Sequence, residues 1–180
     1  MKNNIIIIDT ETSGLNPNSE LIVEVAAIKL DCKSFKYQKI FNSLCNPRLS
    51  KKRLEKSWIC SNGFISPEEI LKAPNDIKVA SELKLVLGNS HWTTFNLEFD
   101  GGFLSRNPWK LKKRNEKCIM KSATHVCNIP HPYYVIKYPS LDEAYQILVK
   151  KQSNNNHRAL DDAIMATEVL IYLIKNGHYK

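Results

Sequence analysis

Ile5-Ile6-Ile7-Ile8-Asp9-Thr10-Glu11-Thr12-Ser13-Gly14-Leu15 is the stretch on which the reading of the whole chain turns. Four β-branched residues in unbroken succession, closed by an acid, have the pattern of a central strand covered on both faces. Period-two geometry then turns Asp9 and Glu11 to the same face of the strand end. An isolated Asp-x-Glu pair is weak evidence of chemistry, because strand ends and helix caps carry solvated acids routinely.

Working outward, Leu21 to Leu30 and Phe35 to Leu44 read as two more strands joined by a turn at Asp31-Cys32-Lys33-Ser34. Ser66-Pro67-Glu68-Glu69 combines an N-cap serine, proline at the first helical position and glutamate three residues after the cap, which opens a short helix ending near Pro74. Ile77, Ala80, Leu83, Val86 and Leu87 recur at helical spacing over residues 76 to 87, and Gly88-Asn89 closes that helix. Trp92 to Phe95 reads as a strand and Leu97 to Leu104 as a helix. Ser140-Leu141-Asp142-Glu143 repeats the capping signature and predicts a helix to about Lys150. The polar run 151 to 156 suits a loop, and a last amphipathic helix runs from Arg158 to Ile174 with Asn176-Gly177 as its C-terminal cap.

A chain of 180 residues, with no internal repeat and no Gly/Ser/Pro linker, is expected to form a single domain over 1–180. Nothing in it is long and apolar enough to span a bilayer, and no signal-type segment opens it. The net charge of +8 favours a polyanionic partner, nucleic acid before an anionic membrane surface. Five cysteines, an odd number without a C-x-x-C pair, argue against a disulfide scaffold and for a reducing, cytoplasmic setting. Cys118, His125, Cys127 and His131 have zinc-binding side chains, but their spacing is unlike that of paired zinc knuckles, so no zinc site is expected.

Two further acids stand out. Asp100 lies within Phe99-Asp100-Gly101-Gly102-Phe103-Leu104, where the apolar neighbours mark a buried helical face that ordinarily excludes a charge. Asp162 lies on the last helix, five residues after His157. The order Asp9-x-Glu11 after an apolar strand, Asn96-x-x-Phe99-Asp100, then His157-x-Ala159-x-x-Asp162 is far more specific than any of its parts. In this order the chain resembles the DEDDh-type 3′-to-5′ exonucleases, a superfamily that includes replicase proofreading subunits, from about Asn4 to Leu173.

The resemblance implies an α/β, ribonuclease-H-like fold with a five-stranded mixed sheet flanked by helices. It further implies a site in which Asp9, Glu11, Asp100 and Asp162 hold two Mg2+ ions, with Mn2+ able to substitute, and in which His157 is the general base. Elementary electrostatics agrees: four converging carboxylates repel unless hard cations sit between them, and all-oxygen ligation suits magnesium or manganese. By the same carry-over Thr10, Thr12, Leu15 and Asn96 contact the substrate. Leu15 reads equally well as a core residue. Phe95 departs from the pattern, since many relatives have histidine there, and Asp161 is set aside because the five-residue offset selects Asp162.

Arg106, Lys110, Lys112, Lys113, Arg114 and Lys117, interleaved with Trp109, have the mixture expected of a phosphate-contacting surface with a stacking side chain. Arg48, Lys51, Lys52, Arg53 and Lys56 form a second basic cluster. The expected activity is metal-dependent 3′-to-5′ hydrolysis of single-stranded nucleic acid to 5′-mononucleotides. DNA is favoured slightly over RNA, since no residue reads the 2′-hydroxyl. Two rival readings are an RNA 3′-end or oligoribonucleotide-processing enzyme and a polymerase-associated nucleic-acid-binding module with incidental or lost nuclease activity. The sequence leaves polymerase association and oligomeric state open.

Overall fold

Ile5, Ile6, Ile7 and Ile8 are all buried, and they alternate between two cores. In the computed structural model, which describes residues 3–112, 117–153 and 156–179, Ile5 and Ile7 face one layer of helices and Ile6 and Ile8 face another. This strand, β1 (Asn4–Thr12), pairs antiparallel with β2 (Ile22–Asp31), which pairs antiparallel with β3 (Tyr37–Leu44). On its other side β1 pairs parallel with the short β4 (Trp92–Thr93), so the sheet order is β3-β2-β1-β4. The β2–β3 turn falls where expected: Asp31 Oδ1 accepts from the backbone N–H groups of Lys33 and Ser34.

Between the sheet's β3 edge and β4 run four helices, α1 (Lys51–Glu55), α2 (Trp58–Ser61), α3 (Pro67–Lys72) and α4 (Asp76–Leu87). The capping box at Ser66 is present in full, and α3 ends at Lys72 ahead of Pro74. Helix α4 has the predicted span but not quite the predicted face. It buries Val79, Ala80, Leu83 and Leu87 against Ile6 and Ile8, while Ile77 and Val86 are 56% and 43% exposed. Helices α1 and α2, too short to show a period, had no sequence signature.

After β4 come α5 (Phe99–Leu104), α6 (Ile119–Cys127), α7 (Leu141–Ala144), a π-helical turn over Tyr145–Val149, and the long α8 (Ala159–Lys175). Ser140 makes the expected capping box, but the helix it opens widens after one turn and ends at Lys150 in the left-handed region. Helix α8 ends at Asn176, with Gly177 at φ +75°, as its sequence cap indicates. Residues 151–153 are irregular as expected, and 154–155 of that loop lie outside the described residues.

The five-stranded sheet expected from the resemblance is corrected to four strands among the described residues. The physical reason lies at the outer edge of β4. There Thr93 Oγ1 donates to the Lys117 carbonyl, and the carbonyls of Thr94 and Phe95 accept from Ile119 N and Met120 N at the start of α6. The first free N–H groups of a helix take the acceptors just past β4 that another strand would use.

Helix α8 lies across β1 and β2. Fully buried Ala159 and Ala163 meet Ala26 and Ile28 of β2. Methyl groups on both surfaces let the helix start approach the sheet closely, and Asp9 is the β1 residue paired with Ala26. All five cysteines are free thiols, four of them buried. Cys118 and Cys127 belong to the core and His125 is exposed, and among the described residues no three of Cys118, His125, Cys127 and His131 come close enough to share a metal ion. None of the helices among the described residues is long and apolar enough to cross a membrane.

Candidate active site

β1 and β4 run parallel, so their carboxyl ends lie on the same side of the sheet, where an open α/β sheet usually places its ligand crevice. Asp9 and Glu11 line it from β1, both partly buried and turned the same way by the pleat. Asp100 comes from α5 and is 4% exposed. Its Oδ1 accepts a 2.7 Å hydrogen bond from the Thr10 hydroxyl. Asp162 comes from the first turns of α8, and His157 from the residue before its N-cap, Arg158, with a positive φ of 42°.

Ligand atoms of Glu11, His157 and Asp162 all lie within 4.8 Å of one another. Asp9 adjoins them: burial first, and then the charges of Asp100, Asp162 and Glu11, push its carboxyl well above the usual carboxylate range. Burial, with Asp162, Glu24 and Asp100 close by, lifts Glu11 to about 9, while Arg158 pulls the other way. Asp162 rises to about 7, through burial and then Asp142, Asp161 and Asp100. Burial lifts Asp100 to about 6 against the opposing hydrogen bond from Thr10. The four predicted acids are thus brought into one electrostatic unit that resists full ionisation by itself.

A bound cation would relieve that repulsion. Four carboxylates from three elements offer only hard oxygen donors and need cationic compensation to be ionised together, which is the donor chemistry of a divalent cation site. Glu24 deepens the need, because it stands directly across from Glu11 in the β1–β2 register. Its side chain is 2% exposed, and Arg158 grips it through Nε at 3.0 and 3.2 Å and through a second guanidinium nitrogen at 2.8 Å. The same carboxylate accepts from Ala159 N, so Glu24 caps α8 and fixes the segment that carries His157 and Asp162.

Trp58 and Phe64 hold the His157 ring edge-to-face, with centroids 4.9 and 4.5 Å away. Sequence reading missed these two aromatics, and no local signal could have found them. It missed the Glu24–Arg158 pair as well, although a glutamate inside Leu21-Ile22-Val23-Glu24-Val25-Ala26-Ala27-Ile28 is a visible anomaly.

The four residues expected to contact substrate are placed differently. Thr10 is buried with its hydroxyl committed to Asp100, so that side chain orients a carboxylate instead of facing the crevice. Thr12 Oγ1 donates to the Gly14 carbonyl and shapes the β1–β2 loop. A Cβ at Gly14 would come within 2.8 Å of Glu20 Cγ, so a larger residue there would displace the Glu20 side chain. Leu15, at the loop tip, is 84% exposed, which removes the core-packing reading. Asn96 Oδ1 accepts from Phe99 N ahead of α5, and Phe95 packs in the core. Trp109, expected to stack on bases, is 3% exposed and belongs to the core. Lys113 and Arg114 lie outside the described residues. In the second basic cluster Arg48, Lys51 and Arg53 are engaged by Asp76, by Glu55 and Glu68, and by Glu20.

The sequence model of one family, the RNase T exonuclease family, matches residues 6–170. The chain belongs to this exonuclease family. Its acids and histidine follow the DEDDh order, and the divalent-metal dependence of that type agrees with the donor set described above. Among sequence relatives, the PolC-type DNA polymerase III of Clostridium perfringens is 27% identical over 176 residues, or 94% of this chain and 11% of that protein. The DNA polymerase III subunit epsilon of Buchnera aphidicola (subsp. Schizaphis graminum) is 24% identical over 94% of this chain and 73% of its own length. The exonuclease fold is shared with the nuclease domain of 3′hExo, a DEDDh family member bound to rAMP, at TM-score 0.69 and 16% identity, covering 99% and 95% of the two chains. It is shared too with E. coli Exonuclease I in complex with a 5cy-dT13 oligonucleotide, at TM-score 0.66 and 15% identity, covering 96% of this chain and 41% of that one.

Proposed function

We propose that this exonuclease removes nucleotides from the 3′ end of single-stranded DNA by a metal-assisted, in-line hydrolysis that releases 5′-mononucleotides. The observation that carries the reading is the convergence of Asp9, Glu11, Asp100 and Asp162 with His157 at the strand ends. Asp9, Glu11, Asp100 and Asp162 would hold magnesium or manganese ions, which supply charge neutralisation, water activation and stabilisation of the leaving oxygen. His157, kept in place by Trp58 and Phe64, takes the proton of the attacking water. Exposed Leu15 wedges against the terminal base, and Thr12 shapes the loop that presents it.

The DNA assignment is supported by the two replicative polymerase proteins among the sequence relatives, which also favour recruitment to a polymerase. The fold itself is neutral on the sugar, because the solved relatives include one bound to rAMP and one to a DNA oligonucleotide.

The test is release of mononucleotides from 3′- and 5′-labelled single-stranded DNA and matched RNA, with magnesium, with chelator, and with Asp162→Ala. Metal-dependent shortening from the 3′ end, lost in the variant and faster on DNA, is the expected result. Faster hydrolysis of RNA, above all of two-nucleotide RNA, would move the substrate to the oligoribonucleotide class. Tight binding without shortening would leave a binding module.

A further inference from the structure

The groove beside the β1–β2 loop has no role in the chemistry above. It has a volume of about 460 Å³ and runs between residues 17–22, from that loop to the start of β2, and residues 103–110, from the end of α5 onward. These walls continue the elements that carry Leu15 and Asp100, and Gly102 of α5 comes close enough to Pro17 that a Cβ would touch its ring at 3.4 Å. The groove is therefore walled by the loop that carries Leu15 and by the end of the helix that carries Asp100.

Its charge is one-sided. Arg106 and Lys110 stand on the rim, both exposed and with no acidic partner among the described residues. The acid of the lining, Glu20, is already engaged, taking the Ser13 hydroxyl at 2.5 Å and the Arg53 guanidinium at 3.2 Å. The turn bearing the two cations is braced: Lys110 N donates to the Arg106 carbonyl at 2.7 Å, and Lys84 Nζ from α4 donates to the Pro108 carbonyl at 2.8 Å. Trp109 forms an apolar floor and anchors that turn in the core.

We infer that this groove is a phosphate-backbone subsite, in which Arg106 and Lys110 hold phosphodiesters of the substrate strand upstream of its 3′ end. The inference rests on the single-strand exonuclease reading and extends it to where the rest of the strand lies. Two cations without a partner among the described residues, on a turn whose backbone is braced, offer a polyanion compensating charge, and each phosphate they neutralise releases counterions.

The experiment is binding of a labelled twenty-nucleotide single strand in chelator, by fluorescence anisotropy at several salt concentrations, beside hydrolysis of that strand and of a dinucleotide in magnesium. Losing two phosphate contacts lowers the slope of log K against log salt by about 1.4. Between 50 and 200 mM salt, Arg106→Ala/Lys110→Ala then loses affinity about sevenfold less than the parent does. Its KM rises on the twenty-mer, while the dinucleotide, whose sole phosphodiester is the scissile one, is cut at the parental rate. Arg106→Lys/Lys110→Arg retains the slope. Lys33→Ala/Lys36→Ala removes the same charge from the exposed β2–β3 turn and leaves the slope unchanged.

An unaltered slope in Arg106→Ala/Lys110→Ala, or an equal fall in Lys33→Ala/Lys36→Ala, overturns the subsite while leaving the exonuclease reading in place. Salt-dependent binding that requires Arg106 and Lys110, with no hydrolysis of either substrate, overturns the exonuclease reading and leaves the subsite standing.

Discussion

Breaking the Glu24–Arg158 pair from its two ends should give unequal costs. Arg158→Met leaves a carboxylate whose side chain is 2% exposed with no counter-charge, whereas Glu24→Gln leaves a guanidinium that is 35% exposed and able to turn to water. Removing one partner of a buried pair costs about 3–5 kcal/mol when the remaining charge stays buried. That range applies to Arg158→Met. Glu24→Gln keeps an acceptor for the guanidinium and for Ala159 N, so its cost is about 1–2 kcal/mol, in the range of a weakened charged hydrogen bond. In a chain of this length each kcal/mol moves the melting midpoint by about 2–4 °C, so Arg158→Met falls by on the order of 10 °C. Replacing both residues, as Glu24→Leu/Arg158→Met, removes the orphaned charge and recovers much of the loss. Urea denaturation at pH 7 in chelator measures all three. Equal costs at the two ends, or less than about 1 kcal/mol for Arg158→Met, would refute the claim that this pair clamps the start of α8.

The raised site carboxyls also set a pH dependence. Folded values of about 6, 7 and 9 for Asp100, Asp162 and Glu11 lie above the unfolded range near 4, so the native state holds the extra protons. Metal-free stability therefore falls as pH rises from about 4 towards 9, and magnesium restores more of it at pH 8 than at pH 5. A thermal-shift series in chelator and in magnesium reads both slopes, and a metal-free midpoint that rises across the window contradicts the assignment. Asp162→Asn should abolish hydrolysis yet raise the metal-free midpoint at pH 8, because it removes one of the repelling charges; a lowered midpoint counts against the repulsion account. Leu15→Ala, at an exposed loop tip, should leave stability within about 0.5 kcal/mol while raising KM on single strands; an unchanged KM removes Leu15 from the wedge.

The legible part of the fold lay where local chemistry is decisive. The run Ile5 to Ile8 announced a strand covered on both faces because four β-branched residues cannot leave either face in water. Ser66 and Ser140 announced helix starts because their hydroxyls and the glutamates three residues later satisfy backbone groups locally. Failures came where distant contacts decided. The number of strands among the described residues turned on which groups would meet the carbonyls past β4, and the start of α6 took them. Trp109 looked like a surface aromatic among lysines, but it is buried in the same core cluster as Phe103 and Leu104.

The site divides in the same way. Residue types and their order, through the resemblance they carry, were enough to single out Asp9, Glu11, Asp100, His157 and Asp162 as the expected site. Sequence could not say what holds those groups together. Thr10 under Asp100, Glu24 clamping Arg158, and Trp58 and Phe64 around His157 join residues 90, 134, 99 and 93 positions apart. Such pairings depend on how α8 and the α2–α3 segment settle on the sheet, and no local period encodes that. The sequence by itself therefore determined which chemical groups the protein has; the tertiary structure decided their charge states and support, since burial and long-range neighbours exist only once the chain has closed on itself.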